Sequence, residues 1–299
     1  MSSTTTTQAG ARRQGILCVL GAAAAFALAA ACVKGLYGEV PLAEVILCRN
    51  LFAIPALLPL LLRAPGGWRA LRTRHPWSHA QRLFWGMLGM IGAFYGYAHL
   101  PLATATALGF TMPLFLTLIA VLFMGETLRW RRGLAVAVGF LGVLVVVRPG
   151  GAGGLHLLAA GAVLLGAVGW AMAMVTIRRM GDAGEAGVAI VLWFALGAAV
   201  VAGLASLPVW LWPSPWQWLL LAGCGVVSAL GQVLMTAAYR SGEATLLAPF
   251  EYSGIVWTAL LGAVLWAEMP DAVAFLGIAL LVGSGLYVWW REVQLGIRR

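Results

Sequence analysis

The chain has 299 residues, of which 62% are hydrophobic and only 10% are charged, and its formal net charge is +9. A soluble domain is closer to half apolar and a quarter charged. The composition therefore argues against a soluble enzyme or binding module and indicates a protein that lies largely within a membrane.

Ten apolar runs are each long enough to cross a bilayer, which takes about 20 mostly apolar residues per helix. The gaps between the runs are short, so no soluble domain remains to carry the function. We predict an all-α polytopic membrane protein with ten transmembrane helices. In chain order, the predicted spans 1 to 10 are 15–34, 42–62, 83–98, 103–124, 131–148, 155–177, 186–207, 216–238, 245–267 and 272–290.

The start of span 1 resembles an export signal, because Arg12 and Arg13 precede it and the segment LAAAC follows. Nine further apolar runs favour an uncleaved first span instead. The four cysteines all lie inside apolar runs without metal-ligand spacing, so they are interpreted as small buried residues. Neither a metal nor a cofactor is expected.

The basic residues predict the topology. With the N-terminus in the cytoplasm, sixteen arginines fall on the inner side, whereas only Lys34 and Arg148 fall on the outer side. This asymmetry is the one that the positive-inside rule describes. We therefore expect both termini to be cytoplasmic and expect no nucleic-acid partner, since the basic charge reflects membrane orientation.

The second half of the chain repeats the first. Residues 97–126 align with residues 239–268 at an offset of 142, with Tyr at the start and Glu at the end of both segments. Each half has an odd number of spans, so the two halves enter the membrane from opposite sides. Inverted repeats of this kind are typical of transporters that alternate between two access states.

The resulting organisation is a pair of inverted five-helix repeats flanked by short tails. Residues 1–14 and 291–299 form the predicted cytoplasmic tails. Residues 15–148 form the first five-span repeat, and residues 155–290 form the second.

Three segments carry a resemblance to a known family: LCRNLF in span 2, TATALGFTMPLFLTLIAVLFMGE in span 4, and ATLLAPFEYSGIVWTALLGAVLWAE in span 9. With the ten-span pattern, the chain resembles EamA-type proteins of the drug/metabolite transporter superfamily, including its aromatic amino acid exporter branch. The resemblance implies a multi-pass carrier in the bacterial cytoplasmic (inner) membrane, often an exporter of amino acids or related metabolites. It also implies a central cavity between spans 1–4 and 6–9.

Arg49 is the charged residue that most needs an explanation, because an arginine at hydrocarbon depth costs a few kcal/mol. Snorkelling to the outer interface is one interpretation. We favour a side chain turned into the bundle, where it binds polar backbone or a substrate carboxylate. Glu251 lies well inside span 9 and is a candidate proton carrier. Arg49 and Glu251 each lie ~10 Å from opposite membrane edges, so roughly a third of the ~30 Å core separates them. We therefore expect no direct ion pair between them unless span 9 is broken at Pro249.

Aromatic residues supply the remaining candidate binding positions. Tyr95 and His99 are four residues apart near the outer end of span 3, and Trp170 lies deep in span 6. Rings stack in offset or edge-on contacts, so a cavity lined by rings would suit an aromatic or large neutral amino acid. Packing roles remain the alternative for these residues; the predicted rim of the cavity is Phe110, Phe250, Tyr252 and Trp257.

Two prolines are candidate hinges. Pro113 lies near the middle of span 4, and Pro249 lies a few residues into span 9. Each removes a backbone hydrogen bond and clashes with the preceding turn, which in a membrane is tolerated where the freed carbonyl faces protein or a wet cavity. A static kink is the alternative. The second repeat has Gly254 and Ile255 where the first has Met112 and Pro113.

The function predicted from sequence is an alternating-access exporter of small metabolites, with amino acids favoured, acting as a monomer in contact with membrane lipid. A facilitative pore or channel for small solutes, or an exporter of other metabolites or drugs, remains open. An enzyme is not expected, because the chain has no HExxH or Gly-x-Ser-x-Gly motif and no pair of aspartates within its spans.

Overall fold

The computed structural model describes residues 2–64, 67–124, 130–149, 156–241 and 244–294. Within these ranges, every regular element is helical. The α-helices in chain order are α1 (Ser2–Gly35), α2 (Leu42–Arg63), α3 (Pro76–His99), α4 (Leu102–Gly109), α5 (Met112–Met124), α6 (Trp130–Val147), α7 (Leu157–Asp182), α8 (Gly187–Ser206), α9 (Pro215–Ser241), α10 (Ala244–Glu251), α11 (Ser253–Trp266) and α12 (Ala272–Gln294).

The chain is a multi-pass helical membrane protein, as predicted. Seven segments within the described residues are helical, long and apolar enough to cross a membrane. They are Arg13–Gly35, Leu42–Arg63, Leu102–Ile119, Leu157–Asp182, Gly187–Val209, Pro215–Met235 and Ala272–Arg291.

Three predicted spans are not among these seven segments. Span 3 corresponds to α3, whose mean hydropathy is lowered by its glycines, tyrosines and histidines. Span 5 retains only the shorter apolar helix Gly133–Val147. Span 9 is divided into the short helices α10 and α11.

Predicted spans 4 and 9 are both interrupted helices. Phe110 and Thr111 separate α4 from α5, and Tyr252 separates α10 from α11. Phe110 and Tyr252 are 142 residues apart, the offset that aligns the two halves. The breaks are therefore equivalent, although the prolines are not: Pro113 lies in the first turn of α5, where proline fits a helix, and Pro249 lies inside α10.

The helices pack in pairs that link the two halves. The main pairs are α1 with α9, α3 with α7, α2 with α8, and α6 with α12. By predicted span number, the α1–α9 pair is 1–8 and the α3–α7 pair is 3–6, and exchanging the two halves of the chain turns one of these pairs into the other. The α2–α8 pair (2–7) and the α6–α12 pair (5–10) are each turned into themselves. The fold thus has the contact pattern that a two-fold relation between its halves produces.

The α3–α7 pair depends on glycines. A Cβ atom added to Gly92 would lie 2.3 Å from the carbonyl oxygen of Ala162, and one added to Gly96 would lie 2.1 Å from Val163 Cγ2. Sequence spacing predicts a seam of Gly86, Gly89, Ala93 and Gly96. In the structure Gly92 makes the closest backbone approach of this interface, whereas Gly86 instead faces Arg82 and Phe194.

The outer surface of the bundle is apolar. Large exposed side chains include Leu122 and Val264, each 72% exposed. Two surface grooves, of about 460 Å³ between α1 and α9 and about 440 Å³ between α6 and α12, are also lined mainly by apolar groups. Such a surface matches lipid hydrocarbon, and neither groove includes a predicted site residue.

Candidate functional site

Arg49 is oriented by its sequence neighbour Asn50. Its Nη1 donates a hydrogen bond to Asn50 Oδ1 at 3.1 Å, and Asn50 Nδ2 donates to the carbonyl oxygen of Ile46 at 2.8 Å. The second bond fixes the amide so that its oxygen faces the guanidinium. The Nε atom of Arg49 is buried and has no hydrogen-bond partner. Arg49 therefore retains a free donor inside the protein.

Helix α9 covers Arg49 from the other half of the chain. A Cβ atom added to Gly225 would lie 2.9 Å from the carbonyl oxygen of Arg49 and 2.5 Å from Cβ of Phe52. Glycine at this position lets α9 approach α2 closely. Arg49 thus belongs to an interface between helices, as the sequence favours, and not to a purely lipid-facing surface.

A second buried arginine, Arg82 in α3, is only 8% exposed. Its guanidinium carbon lies 4.1 Å from the ring centroid of Phe194 in α8. Its Nε and Nη1 atoms are both buried and have no hydrogen-bond partner. The side chain runs towards Gly86, where an added Cβ atom would lie 2.0 Å from Nη1.

A side-chain contact between α2 and α3 links the surroundings of the two arginines. Asn50 Nδ2 contacts Met90 Sδ at 3.8 Å, and Met90 follows Gly86 by one helical turn, about 6 Å along α3. No carboxylate within the described residues forms an ion pair with either guanidinium. We call Arg49, Asn50, Arg82 and Phe194 the arginine site.

The surroundings of the arginine site are apolar. Cys48, Met87, Met90, Phe194 and Cys224 belong to one buried hydrophobic cluster. In such surroundings an unpaired cation is costly, because few groups replace its lost hydration. The arrangement can therefore bind an anion strongly, since the anion supplies both the missing charge and the missing acceptors.

Sequence reasoning missed Arg82, because it counted this residue among the inner-loop arginines and began span 3 at residue 83. The structure begins α3 at Pro76, six residues before Arg82. Proline is favoured at the first position of a helix. The proline before the apolar run was therefore an available indication that the helix includes Arg82.

The aromatic rim residues do not form one group. Phe110 and Tyr252 stack with ring centroids 4.7 Å apart, so the two helix breaks touch each other. Phe250 packs instead against Val19 and Leu247, in a cluster formed by α1, α9 and α10. Among the described residues, no ring contact or hydrogen bond joins Arg49 to these three rings.

Glu251, the candidate proton carrier, is the last residue of α10 and directly precedes the break at Tyr252. It is partly buried. The hydroxyl end of Tyr252 fills the space beside Gly285 in α12, where an added Cβ atom would lie 2.1 Å from it. Glu251 therefore lies at the place where span 9 is interrupted.

Tyr95 and His99 lie together, as their spacing predicts. Their ring centroids are 4.0 Å apart, and His99 Nδ1 lies 2.9 Å from the carbonyl oxygen of Tyr95. Two residues that were not predicted complete the cluster around His99: Tyr37 at 4.6 Å and His156 at 5.6 Å between centroids. This cluster lies at the C-terminal end of α3, apart from Arg82 at the beginning of that helix.

Trp170 lies against α3. A Cβ atom added to Gly89 would lie 2.8 Å from both Cδ1 and Nε1 of its indole ring. The indole therefore occupies the space that the glycine leaves, within the α3–α7 interface. This geometry is a packing contact, and the binding role of Trp170 stays a prediction.

An ion pair lies at the end of the bundle near Leu100. Lys34 Nζ lies 2.8 Å from Glu268 Oε1 and donates a hydrogen bond to the carbonyl oxygen of Leu100 at 2.9 Å. The Lys34 side chain is 8% exposed, and its ammonium also faces the ring of Trp266 at 5.7 Å. These contacts join α1, the α3–α4 connection and the end of α11.

A second polar cluster lies in the connections outside the apolar segments. Glu185 accepts hydrogen bonds from Thr73 Oγ1 at 2.7 Å and from the Arg74 amide at 3.3 Å, and its Oε2 lies 3.3 Å from His79 Nε2. Burial alone would raise the pKa of the Glu185 carboxyl, but these hydrogen bonds outweigh it and hold the pKa below its ordinary value. The cluster ties the α2–α3 connection to the α7–α8 connection.

Comparison with known proteins identifies relatives along almost the whole chain. The model of the EamA-like transporter family matches residues 13–148 and again residues 157–290. The Pseudopaline exporter CntI of Pseudomonas aeruginosa is 34% identical over 90% of this chain and 94% of its own length. The S-adenosylmethionine uptake transporter of Rickettsia bellii is 28% identical over 83% of this chain and 84% of its own length.

Two further similarities agree with these. The riboflavin transporter of Rhizobium johnstonii is 30% identical, over 81% of this chain and 79% of its own length. A solved crystal structure superposes with a TM-score of 0.64, covering 94% of this chain and 97% of the other, at 21% identity. That structure supports the fold alone.

Proposed function

This chain belongs to the EamA-like transporter family, and from that premise we propose that it exports small metabolites with a carboxylate, most often amino acids, through alternating access. The named relatives act on different small molecules and in different directions. The family therefore supports transport of a small solute, whereas the substrate class and the direction have to be argued from this chain's own residues.

The proposed topology has ten spans in two inverted repeats, with both termini in the cytoplasm of a bacterium and the protein in its inner membrane. Three features support it: the asymmetry of the arginines, the two separate matches to the family model, and the exchange of helix pairs between the halves. The interrupted spans 4 and 9 have equivalent breaks, as two copies of one unit would have.

The observation that carries the proposal is the buried, unpartnered Nε atom of Arg49. An arginine that served only packing would have its donors satisfied, because unpaired buried donors are costly. A substrate carboxylate is the natural partner, since it binds guanidinium through charge-assisted hydrogen bonds. Asn50 keeps the Arg49 side chain in place while the carboxylate enters and leaves.

The breaks at Phe110 and Tyr252 supply the moving parts of the proposal. Each divides a span into two short helices that can tilt separately, and the stacked rings couple the two breaks. The contacts of Lys34 with Glu268 and Leu100 close one end of the bundle. Export then requires this end to open while the opposite end closes, with the carboxylate held at Arg49 between the two states.

The aromatic residues favour particular substrate side chains, although the carboxylate is the main determinant of binding in this proposal. Phe110 and Tyr252 offer stacked ring faces, and Tyr95 with His99 offers another pair. Aromatic or large neutral side chains gain favourable contact with such rings. We therefore place aromatic and large neutral amino acids first among the neutral candidates.

Transport in proteoliposomes tests the proposal. Purified protein is reconstituted, and efflux of labelled Trp, Phe, Met, Thr, Glu and a nucleoside is measured as a function of concentration. We expect saturable efflux of at least one amino acid, reduced at least about tenfold by Arg49→Gln. Arg63→Gln, at the exposed end of the same helix, is the matched control. Non-saturable efflux of all six compounds would indicate a pore instead.

A further inference from the structure

Arg82 has a feature that the proposed function does not use. It lies near the start of α3, where an arginine would ordinarily extend back towards the helix N-terminus and reach water. Its guanidinium instead lies beside Gly86, four residues further along the helix. The side chain is thus directed away from the membrane edge and into the bundle.

The local packing holds that orientation. Gly86 has no Cβ atom, and this leaves the space in which Nη1 lies. The ring of Phe194 covers one face of the guanidinium at 4.1 Å. Stacking on an aromatic face leaves the in-plane N–H groups free for a ligand. Both Nε and Nη1 remain buried without a partner.

Within the described part of the chain, no carboxylate forms an ion pair with Arg49 or Arg82, so none of the described residues balances the charge of the arginine site. A ligand with one carboxylate can neutralise one guanidinium and leaves the other as a buried, unpaired cation. A ligand with two anionic groups can neutralise both.

We propose that Arg82 is a second anion-binding residue and that this carrier selects substrates with two anionic groups, such as amino-dicarboxylic acids. The inference rests on the proposed function, because it assigns the substrate class of the same site. It ranks such acids above the neutral amino acids that the aromatic residues alone would favour. Phe194 and Gly86 act as positioning residues, since they hold the Arg82 guanidinium without touching the substrate.

The test compares acids with their amides of nearly equal size. The thermal unfolding midpoint of the purified protein is titrated with glutamate and glutamine, aspartate and asparagine, and glutarate and glutaramate. We expect at least one diacid to raise the midpoint saturably, at concentrations about tenfold or more below those its monoamide requires. In Arg82→Gln, the concentrations at which that diacid and its monoamide raise the midpoint should differ by no more than about twofold.

Three variants separate binding from general damage. Gly86→Ala keeps the charge of Arg82 but displaces its guanidinium, so it should also lower the preference for the diacid. Arg72→Gln, at an exposed arginine, and Gly161→Ala, at a glycine with open space around it, should leave the preference unchanged. A structural role for Arg82 would lower the midpoint without changing the ratio between acid and amide.

Three results would overturn the inference. One is equal binding of each diacid and its amide, or binding of no diacid at all. Another is a preference that survives Arg82→Gln in folded protein. The third is stabilisation by chloride or inorganic phosphate alone, which would make the site one for a simple counter-ion.

Transport measurements distinguish this failure from failure of the proposed function. Saturable transport of neutral amino acids that is insensitive to Arg82→Gln would leave the carrier intact and remove the diacid preference. Selective diacid binding without any transport would leave the anion site intact and remove the carrier.

Discussion

Phe110 and Tyr252 occupy equivalent positions in the two halves of the chain, and their rings stack at 4.7 Å where each half interrupts a helix. The contact therefore joins the two breaks directly. When a short helix beside one break tilts, the ring at that break moves, and the ring stacked on it at the other break must move as well. This relationship gives the two repeats a physical connection at the centre of the proposed transport movement.

Removing either ring should uncouple the breaks. Phe110→Ala and Tyr252→Ala are each expected to slow transport in folded protein, and a double-mutant cycle on unfolding free energy should give a coupling of about 0.5–1.5 kcal/mol. The pair Trp210–Trp212, with centroids 6.0 Å apart in the connection before α9, is the control. Its variants should show coupling in stability without the loss of transport rate. Equal transport loss at both pairs would contradict a special role for the breaks.

The α3–α7 interface should not tolerate a side chain at Gly92. Gly92→Ala places Cβ against backbone atoms of α7 that cannot rotate away, including the carbonyl oxygen of Ala162 at 2.3 Å. We expect a loss of about 1–3 kcal/mol in unfolding free energy. Gly161→Ala, which meets open space on α7, should be neutral or slightly stabilising because alanine favours helix. A neutral Gly92→Ala would show that the helices do not approach as closely as described.

The pair of Lys34 and Glu268 should behave as a buried ion pair. Glu268→Gln leaves the Lys34 ammonium in a site that is 8% exposed, so we expect a loss of about 1–3 kcal/mol, measured by thermal unfolding. Replacing both residues, as Lys34→Met with Glu268→Gln, should recover part of that loss because no cation is then left unpaired. If the double variant is less stable than Glu268→Gln alone, the unpaired Lys34 ammonium is not the cause of the lost stability.

Glu251 tests proton coupling. If its carboxyl carries a proton during transport, Glu251→Gln should flatten the pH dependence of the transport rate between pH 5.5 and 8. The partly buried position beside the break at Tyr252 is the reason for choosing it. Asp182→Asn, at an exposed carboxylate at the C-terminal end of α7, serves as the control. An unchanged pH profile in active Glu251→Gln protein would rule out the carrier role.

Glu185 predicts a pH effect on stability. Its pKa in the folded protein is below the ordinary 4.5, so its contribution is complete above that pH and is lost as the pH falls through the folded value. The unfolding midpoint of Glu185→Gln should therefore lie below that of wild type at pH 7, and the difference should shrink at pH 3.5. Asp182→Asn should show no such convergence. A constant difference for Glu185→Gln at both pH values would contradict the assignment.

The sequence was most informative where a pattern is local. Long apolar runs gave the membrane class, and the four-residue spacing of Tyr95 and His99 correctly placed their rings together. The equal spacing of the two halves predicted a relation that Phe110 and Tyr252 make visible. In each case, neighbouring residues or a fixed offset carried the information.

What the sequence did not provide depends on contacts between distant segments. Arg82 becomes part of a site only because its side chain turns towards Gly86 and stacks on Phe194, which lies more than a hundred residues later. Gly92 joins the α3–α7 seam because α7 approaches it at a particular angle. Hydropathy determines neither the direction of the Arg82 side chain nor the face of α3 that meets α7, since both depend on how the helices pack.

Counterflow tests whether the protein is a carrier that binds its substrate at Arg49. Proteoliposomes are loaded with an unlabelled amino acid that the efflux panel identifies as a substrate, and uptake of a trace of the labelled compound is followed. We expect a transient accumulation above equilibrium in wild type and in Arg63→Gln, and its loss in folded Arg49→Gln. Uptake that rises only to equilibrium in wild type, or an undiminished overshoot in Arg49→Gln, would contradict it.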